Sequence, residues 1–504
     1  MRIIQIIAVI LLTVQSIVSI SQNVSFYIQI EDSEIIPEVL KDEKTGLLTV
    51  KSRIAYLDNL YKEYKITKFE KAFPTVNRTS LKNVYHIICD NKKLGEDLKG
   101  RYKDKIPRLE YLDEPMLTYE PNDYGLVGGQ TNLGLINVKE AWDIILGFPK
   151  IDIAISDTYF DLNHEDLDMT LSSGNNSPNV SNAFHGTTVA GCVGAVTDNN
   201  IGLASVAFDA NLVVTSHWGT DNEVLLLAQA GYRVINCSWI NSCSFNSIQE
   251  ELYNDIRERY NAIVVFGASN AGSTHCGNNN PSYPASYAAN VAVTSVGHIH
   301  NVGSSQSPVN NNWKDVHEEI IGDSLSAHKH HPTMDICAPG YNVATTDIKG
   351  SGGLSPGNYT NMWGTSFSAP QVSGTLGLII SVNPCLSADE AINILLNNAD
   401  ASIYNIPENQ QYIGRLGSGR LDVFSSVNAA AESATTYLQN MVLSGSQNIE
   451  TNYAIRVVDN VTIGSGATID FLTRKEVTID KNFEIVSGAE LTINVNVNNT
   501  IDCD

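Results

Sequence analysis

Five short apolar runs, at residues 151–155, 212–215, 234–237, 263–266 and 291–296, constrain this chain more than any other feature. Each is short and apolar without alternation, the mark of a strand covered on both faces. Helical spacing at 223–230 and 248–260 falls between some of them. Buried strands alternating with helices imply an α/β fold: a doubly wound, mostly parallel sheet flanked by helices. Ligands bind such sheets beyond the carboxyl ends of the strands, so residues there are the candidates for chemistry.

Three segments carry such candidates. Ile153-Ala154-Ile155-Ser156-Asp157 ends a strand on an aspartate, and Asp161, His164 and Asp166 follow. His185-Gly186-Thr187-Thr188-Val189-Ala190-Gly191 opens a helix whose small residues permit tight packing. Gly364-Thr365-Ser366-Phe367-Ser368-Ala369-Pro370 sets a serine at the mouth of an apolar helix expected over 367–382. Gly364 allows close backbone approach, and Pro370 suits a first helical turn, where a missing N–H costs nothing. The helix N-terminus favours negative charge developing beside the serine, which makes Ser366 a candidate nucleophile. Taken singly, a buried Asp is usually a cap and a His a satisfied core residue. The three segments together argue against that reading.

Over residues 133–430 the chain resembles the subtilisin-like serine proteases. The likeness rests on "IAISD", "HGTTVAG", "VINCSW" (234–239), "IVVFGASNAG" (263–272), "YPASY" (283–287), "ICAPG" (336–340), "GTSFSAP" and "GSGRLDV" (417–423), all in order. Asp157, His185 and Ser366 follow the subtilisin order of the triad. The resemblance implies that Ser366 Oγ attacks the peptide carbonyl and that His185 takes the proton and passes it to the leaving amine. Asp157 would fix the imidazole tautomer, and Asn270 would donate to the oxyanion. The implied activity is a secreted serine endopeptidase, made as a zymogen and working through an acyl-enzyme. The alternative is a non-catalytic binding or adhesion protein that keeps the fold.

The same resemblance places Ser238, Trp239 and Ile240 along one wall of the S1 cleft, Ala268, Ser269 and Asn270 along the other, and Ser282 near the floor. Many relatives carry glycines where this chain has Ile240 and Asn241, and a glycine where it has Ser269. Bulk there narrows or reshapes the pocket. No acidic residue at these positions demands a basic P1 residue, so a neutral or apolar P1 is expected. Asp166, Asp198 and Gln130 match positions of a structural calcium site, and their hard oxygens suit Ca²⁺. An ion-free Asx-rich turn is the alternative. The chemistry itself requires no cofactor. Of the eight cysteines, Cys243 and Cys276 lie on the two loops flanking the S1 cleft and are expected to pair. Cys192, Cys237 and Cys337 lie in apolar motifs and are expected as buried thiols.

Organisation follows from composition. Residues 1–21 have an early Arg2 and an apolar core at 3–12, as a secretory signal peptide does. The apolar run is short of the ~20 residues a membrane anchor needs. Residues 21–121 hold 17 basic and 17 acidic residues, whereas residues 122–504 hold 14 and 38. That acidic balance argues against nucleic acid or an anionic membrane surface as a partner. Residues 24–112 read β-α-β-β-α-β, a ferredoxin-like pattern. In that position the segment resembles the family's propeptide, an intramolecular inhibitor, and a permanent N-terminal domain is the alternative. Residues 298–332 hold six of the 11 histidines. No zinc-ligand spacing accompanies them, so an exposed polar loop is expected there instead of a metal site. Beyond 430, Ser465-Gly466-Ala467-Thr468-Ile469 and Ser487-Gly488-Ala489-Glu490-Leu491 repeat at 22 residues among strand-like runs. They predict a small all-β module that caps the catalytic domain, or that meets a glycan or cell surface. The expected domains are 1–21 (signal peptide), 22–121 (propeptide), 122–430 (catalytic) and 431–504 (β module), in an extracellular protein acting on proteins or peptides.

Overall fold

The computed structural model describes residues 24–41, 48–73, 81–112, 119–128, 130–270, 276, 280–297, 329–480, 482–495 and 503. The signal-peptide segment, residues 113–118 and positions 298–328 of the His-rich tract lie outside the described residues. The chain divides into two compact units, Met1–Leu117 and Thr118–Asp504.

The first unit is an antiparallel sheet in the spatial order Ile66–Lys71, Val84–Cys89, Val24–Gln29, Leu109–Leu112. With the helices Ala55–Lys62 and Lys93–Arg101, this is the ferredoxin-like arrangement that the residue pattern predicts. Phe26, Ile28, Leu57, Ile87 and Leu94 fill its core without exposure. A hairpin of Glu38–Lys41 with Leu48–Lys51 is an addition that the residue pattern does not signal, because both strands are short.

The second unit is built on a seven-stranded parallel sheet. Its order is Ile336–Pro339, Val291–Val296, Ile263–Gly267, Val234–Cys237, Asp152–Ser156, Asn211–Thr215, Met169–Ser173. Alternate residues of each central strand feed opposite faces. Ile153, Ile155, Val234, Ile263 and Val265 join the core shared with the helices Phe184–Gly194 and Thr365–Val382. Ala154, Ile235, Cys237, Val264 and Phe266 join the core beneath the helices Asp221–Gln229 and Ser247–Tyr260. Both faces are therefore dry, which is why these strands read as continuous apolar runs. The strand order reverses around Asp152–Ser156, so the crevice at that strand's carboxyl end is the switch point where doubly wound sheets bind ligands.

The C-terminal region winds in parallel strands. Ser446↔Thr468↔Glu490 and Ala454↔Glu476 are in register, so the 22-residue repeat is one turn of a two-sheet stack. Its first strand, Thr435–Leu443, starts directly after the helix Val423–Ser433. The stack belongs to the same compact unit as the parallel sheet. Lys475 Nζ donates to the carbonyls of Asp143, Ile144 and Leu146, the last turn of the helix Val138–Ile145. Tyr453 stacks on Phe148 with ring centroids 5.9 Å apart, and a disulfide joins Cys385 to Cys503.

Candidate active site

Asp157 follows the strand Asp152–Ser156, and its N–H donates to the Thr215 carbonyl of the neighbouring strand. The aspartate is 1% exposed. Its Oδ1 accepts from the Thr158 N–H (2.7 Å) and pairs with His185 Nδ1 at 2.8 Å, while Oδ2 is buried without a donor. His185 lies in the first turn of Phe184–Gly194. That helix comes this close because residue 186 is glycine: a Cβ there would sit 2.4 Å from the Tyr159 carbonyl oxygen. Burial of the imidazole lowers its proton affinity, but the charge and hydrogen bond of Asp157 outweigh it. His185 therefore titrates above its ordinary value of 6.5.

Ser366 is the second residue of the helix Thr365–Val382. The His185 ring centroid lies 5.8 Å from that of Phe367, the residue after Ser366. Ser366 Oγ donates to the Ser238 carbonyl at 3.3 Å. Pro370 lies beyond the first turn that its sequence position predicts, because the helix begins at Thr365. A proline there cannot donate to the Ser366 carbonyl one turn back. Ser238 Oγ donates to that carbonyl instead, at 2.9 Å.

Asn270 emerges from the carboxyl end of Ile263–Gly267. Its Oδ1 accepts from the Thr365 N–H at 3.0 Å, which fixes the amide and directs Nδ2 toward Gly364. A Cβ at Gly364, where φ is 123°, would lie 3.0 Å from that Nδ2. The carbonyl of Ala268 accepts from Ser282 Oγ at 2.6 Å. Ser238 and Ile240 follow the end of Val234–Cys237, and Ala268 and Ser269 follow the end of the adjacent strand Ile263–Gly267. Trp239 does not face the cleft. It is 7% exposed, its Nε1 donates to the Ser156 carbonyl, and its ring packs on Phe266. An extended chain sends successive side chains to opposite sides, and the core claims this one.

The expected metal ligands divide. Asp166 is fully buried and accepts from Asn199 Nδ2 (2.9 Å) and the Leu203 N–H (3.0 Å). Gln130 Oε1 accepts from the Gly125 and Ala204 N–H groups. Asp198 is exposed and accepts from the Asn122 N–H. The second buried carboxylate is Asp123, which accepts from the Asn199 N–H and leaves Oδ1 without a donor. Burial, with the charge of Asp123 adding to it, pushes Asp166 up to about 7. Two buried carboxylates meeting at one asparagine, with only amide donors as partners, fit a hard cation. Among the described residues no three His, Cys, Asp or Glu side chains form a metal cluster, so the remaining ligands would be amide and carbonyl oxygens. Asp123 escapes a reading of the sequence because it sits in a segment that resembles a flexible junction.

Cys243 and Cys276 are joined by a disulfide, and Cys192, Cys237 and Cys337 are buried thiols. The pairing of Cys385 with Cys503 is not legible in the sequence, since 118 residues separate them. Of the His-rich tract, His330 packs edge-on against Tyr412 and His331 Nδ1 pairs with Thr333 Oγ1.

Residues 149–421 match the Subtilase family (Peptidase_S8) profile. Thermitase of Thermoactinomyces vulgaris is 28% identical over 277 residues, 52% of this chain and 86% of thermitase. An extracellular protease of Xanthomonas campestris pv. campestris is 26% identical over 369 residues, covering 62% of this chain and 57% of the relative. Halolysin of Haloferax mediterranei is 25% identical over 345 residues, with 64% and 58% covered. The chain thus spans less than two thirds of the latter two relatives. Among solved structures, a protease of Pseudoalteromonas arctica superposes with a TM-score of 0.47 at 24% identity, covering 62% of this chain and all of that one.

Proposed function

The chain belongs to the subtilase family, and from that premise we propose that it cleaves peptide bonds through Ser366, His185 and Asp157. It is a serine endopeptidase acting on peptides or proteins. The observation that carries the residue assignment is the 2.8 Å pair of His185 Nδ1 with buried Asp157, its imidazole packed 5.8 Å from the ring of Phe367, the residue after Ser366 at a helix N-terminus. His185 Nε2 takes the Ser366 proton as Oγ attacks the carbonyl and later gives it to the leaving amine. Asp157 holds the ring in the Nδ1–H tautomer and stabilises the imidazolium. Asn270 Nδ2 and the start of the Thr365–Val382 helix meet the negative charge of the tetrahedral intermediate. Water then resolves the acyl-enzyme by the same proton transfers in reverse.

The protein acts outside the cell as a matured zymogen. Support comes from the leader-like residues 1–21 and from a relative named an extracellular protease. Residues 22–121 are the propeptide and inhibitor, supported by the separate compact unit that runs to Leu117. Ca²⁺ binds at Asp166 with Asp123 and Gln130 and offsets the buried negative charge. The C-terminal stack acts as a cap, supported by Lys475 and by the Phe148–Tyr453 stack.

Expression of wild type and Ser366→Ala, followed by intact mass and N-terminal sequencing, tests the zymogen reading. Wild type is expected to lose its first hundred or so residues (on the order of a propeptide domain) while the variant stays long. Equal processing of both would assign maturation to another protease.

A further inference from the structure

The last turn of the C-terminal stack carries apolar side chains where a closing layer would carry polar ones. In register, Ile479 follows Val457, Ile485 follows Ile463, Leu491 follows Ile469 and Ile493 follows Phe471. The earlier member of each pair is at most 1% exposed. The later members are not covered in the same way. Leu491 and Ile493 are only partly buried against that core, Ile479 is 39% exposed and Ile485 is 44% exposed. Terminal repeats of a stack ordinarily turn polar on their outer face. This turn instead keeps the inward apolar pattern of the turn before it, the pattern of a core that a further layer covers.

The same turn is a sheet edge. Glu476–Ile479 and Phe483–Ile485 pair with Ala454–Ile463 on one side, and no strand among the described residues pairs with them on the other. Such an edge presents a row of unpaired N–H and C=O groups, a template for another strand. Its outward positions are acidic, with Glu476 and Glu484 both exposed. Residues 476–485 hold three acidic residues, Glu476, Asp480 and Glu484, against Lys481 alone. The two cations just before them are engaged elsewhere. Arg474 donates to the Ser381 carbonyl, and Lys475 donates to the carbonyls of Asp143, Ile144 and Leu146. Charge therefore selects the occupant. A second copy of this edge would bring two acidic rows together, which is destabilising, whereas a cationic strand would set opposite charges side by side.

We propose that the edge formed by Glu476–Ile479 and Phe483–Ile485 binds an extended, basic segment of a partner protein as an added strand. The segment alternates apolar residues, which cover Ile479, Ile485 and the core beside them, with Lys or Arg residues that lie next to Glu476 and Glu484. Main-chain hydrogen bonds to the edge give affinity, and the alternating side chains give specificity. None of these residues takes part in the proposed peptide cleavage, so the edge binds its partner whether or not Ser366 is a nucleophile.

The test titrates a fluorescein-labelled peptide of about ten residues, alternating lysine with isoleucine, into the full Ser366→Ala chain, which leaves the probe uncut. Anisotropy is expected to show saturable binding. A peptide of the same composition with its lysines and isoleucines in separate blocks should bind on the order of tenfold more weakly, and one with glutamate for lysine should not bind. Glu476→Lys combined with Glu484→Lys should weaken the lysine probe by on the order of tenfold and admit the glutamate probe. Both side chains are exposed, so the fold does not depend on them. Hydrogen exchange of the amides in Glu476–Ile479 and Phe483–Ile485 should slow when the probe binds. Absence of binding overturns the proposal. So does equal binding of the alternating and blocked peptides without slowed exchange at the edge, which would mean general attraction to an acidic chain. A dimer in light scattering with these amides already protected would give the edge to a second copy, and also overturns it.

Discussion

At the residue scale, the proposed catalysis turns on where one proton sits. His185 must be neutral to accept it, and Asp157 raises its affinity for that proton above the ordinary 6.5. The group is protonated below its pKa and competent above it, so kcat/KM should rise with pH along a limb whose midpoint lies above 6.5. Asp157→Asn removes the charge that raises it. The midpoint should then move to lower pH while kcat falls by about 10⁴, as loss of the correct tautomer predicts. A pH–rate profile of both proteins checks the two statements together. Asn270→Ala should cost about 10²–10³ in kcat with KM little changed, because an oxyanion donor acts in the transition state. Steady-state kinetics on one peptide separates the two parameters. The placement of these four residues at strand ends and helix starts was legible in the sequence, because each sits at the end of an apolar run or the start of a helix. Trp239 was not, since a six-residue motif does not say which of its side chains the core will take.

At the scale of elements, the central strands were readable because burial on both faces leaves runs such as Val234–Cys237 without any residue facing solvent. Asn236 is itself buried, its Nδ2 donating to Ser238 Oγ and its Oδ1 accepting from Ser373. Edge elements were not readable. Met169–Ser173 pairs on one side only, and alternates half-buried with exposed residues. The hairpin of Val343–Thr346 with Tyr359–Met362 was equally hidden, since its four-residue strands are held by contacts distant in sequence. Lys475 is the element-scale contact whose removal is most informative. Its ammonium satisfies three carbonyls at a helix C-terminus, where the macrodipole favours a cation. Lys475→Met should lower stability by about 1.5–3 kcal/mol, the range for hydrogen bonds to a charged group. Thermal melts, with limited proteolysis of the C-terminal stack, check this. An unchanged melt would remove the stack's role as a cap.

At the scale of the whole molecule, charge and repeat period carried different amounts of information. The 22-residue period located the C-terminal strands, but it did not reveal that they stack in parallel register or that the chain returns to Cys385 through Cys503. The acidic balance of residues 122–504 hinted at a cation without giving its place. The place proposed for it depends on Asp123 and Asp166 meeting at Asn199, contacts 76 and 33 residues apart in the chain. Chelation should therefore lower the melting temperature of wild type, and added Ca²⁺ should restore it. Asp166→Asn should abolish most of that dependence. A melting temperature indifferent to chelator and Ca²⁺ would leave the two carboxylates as a hydrogen-bonded turn. The central claim, hydrolysis through Ser366, is tested most directly by reacting the matured protein with a fluorophosphonate and mapping the adduct by peptide mass. The account predicts a single adduct on Ser366, lost in Ser366→Ala and strongly slowed in His185→Ala. No adduct, or one placed on another serine at the same rate in both variants, would contradict it.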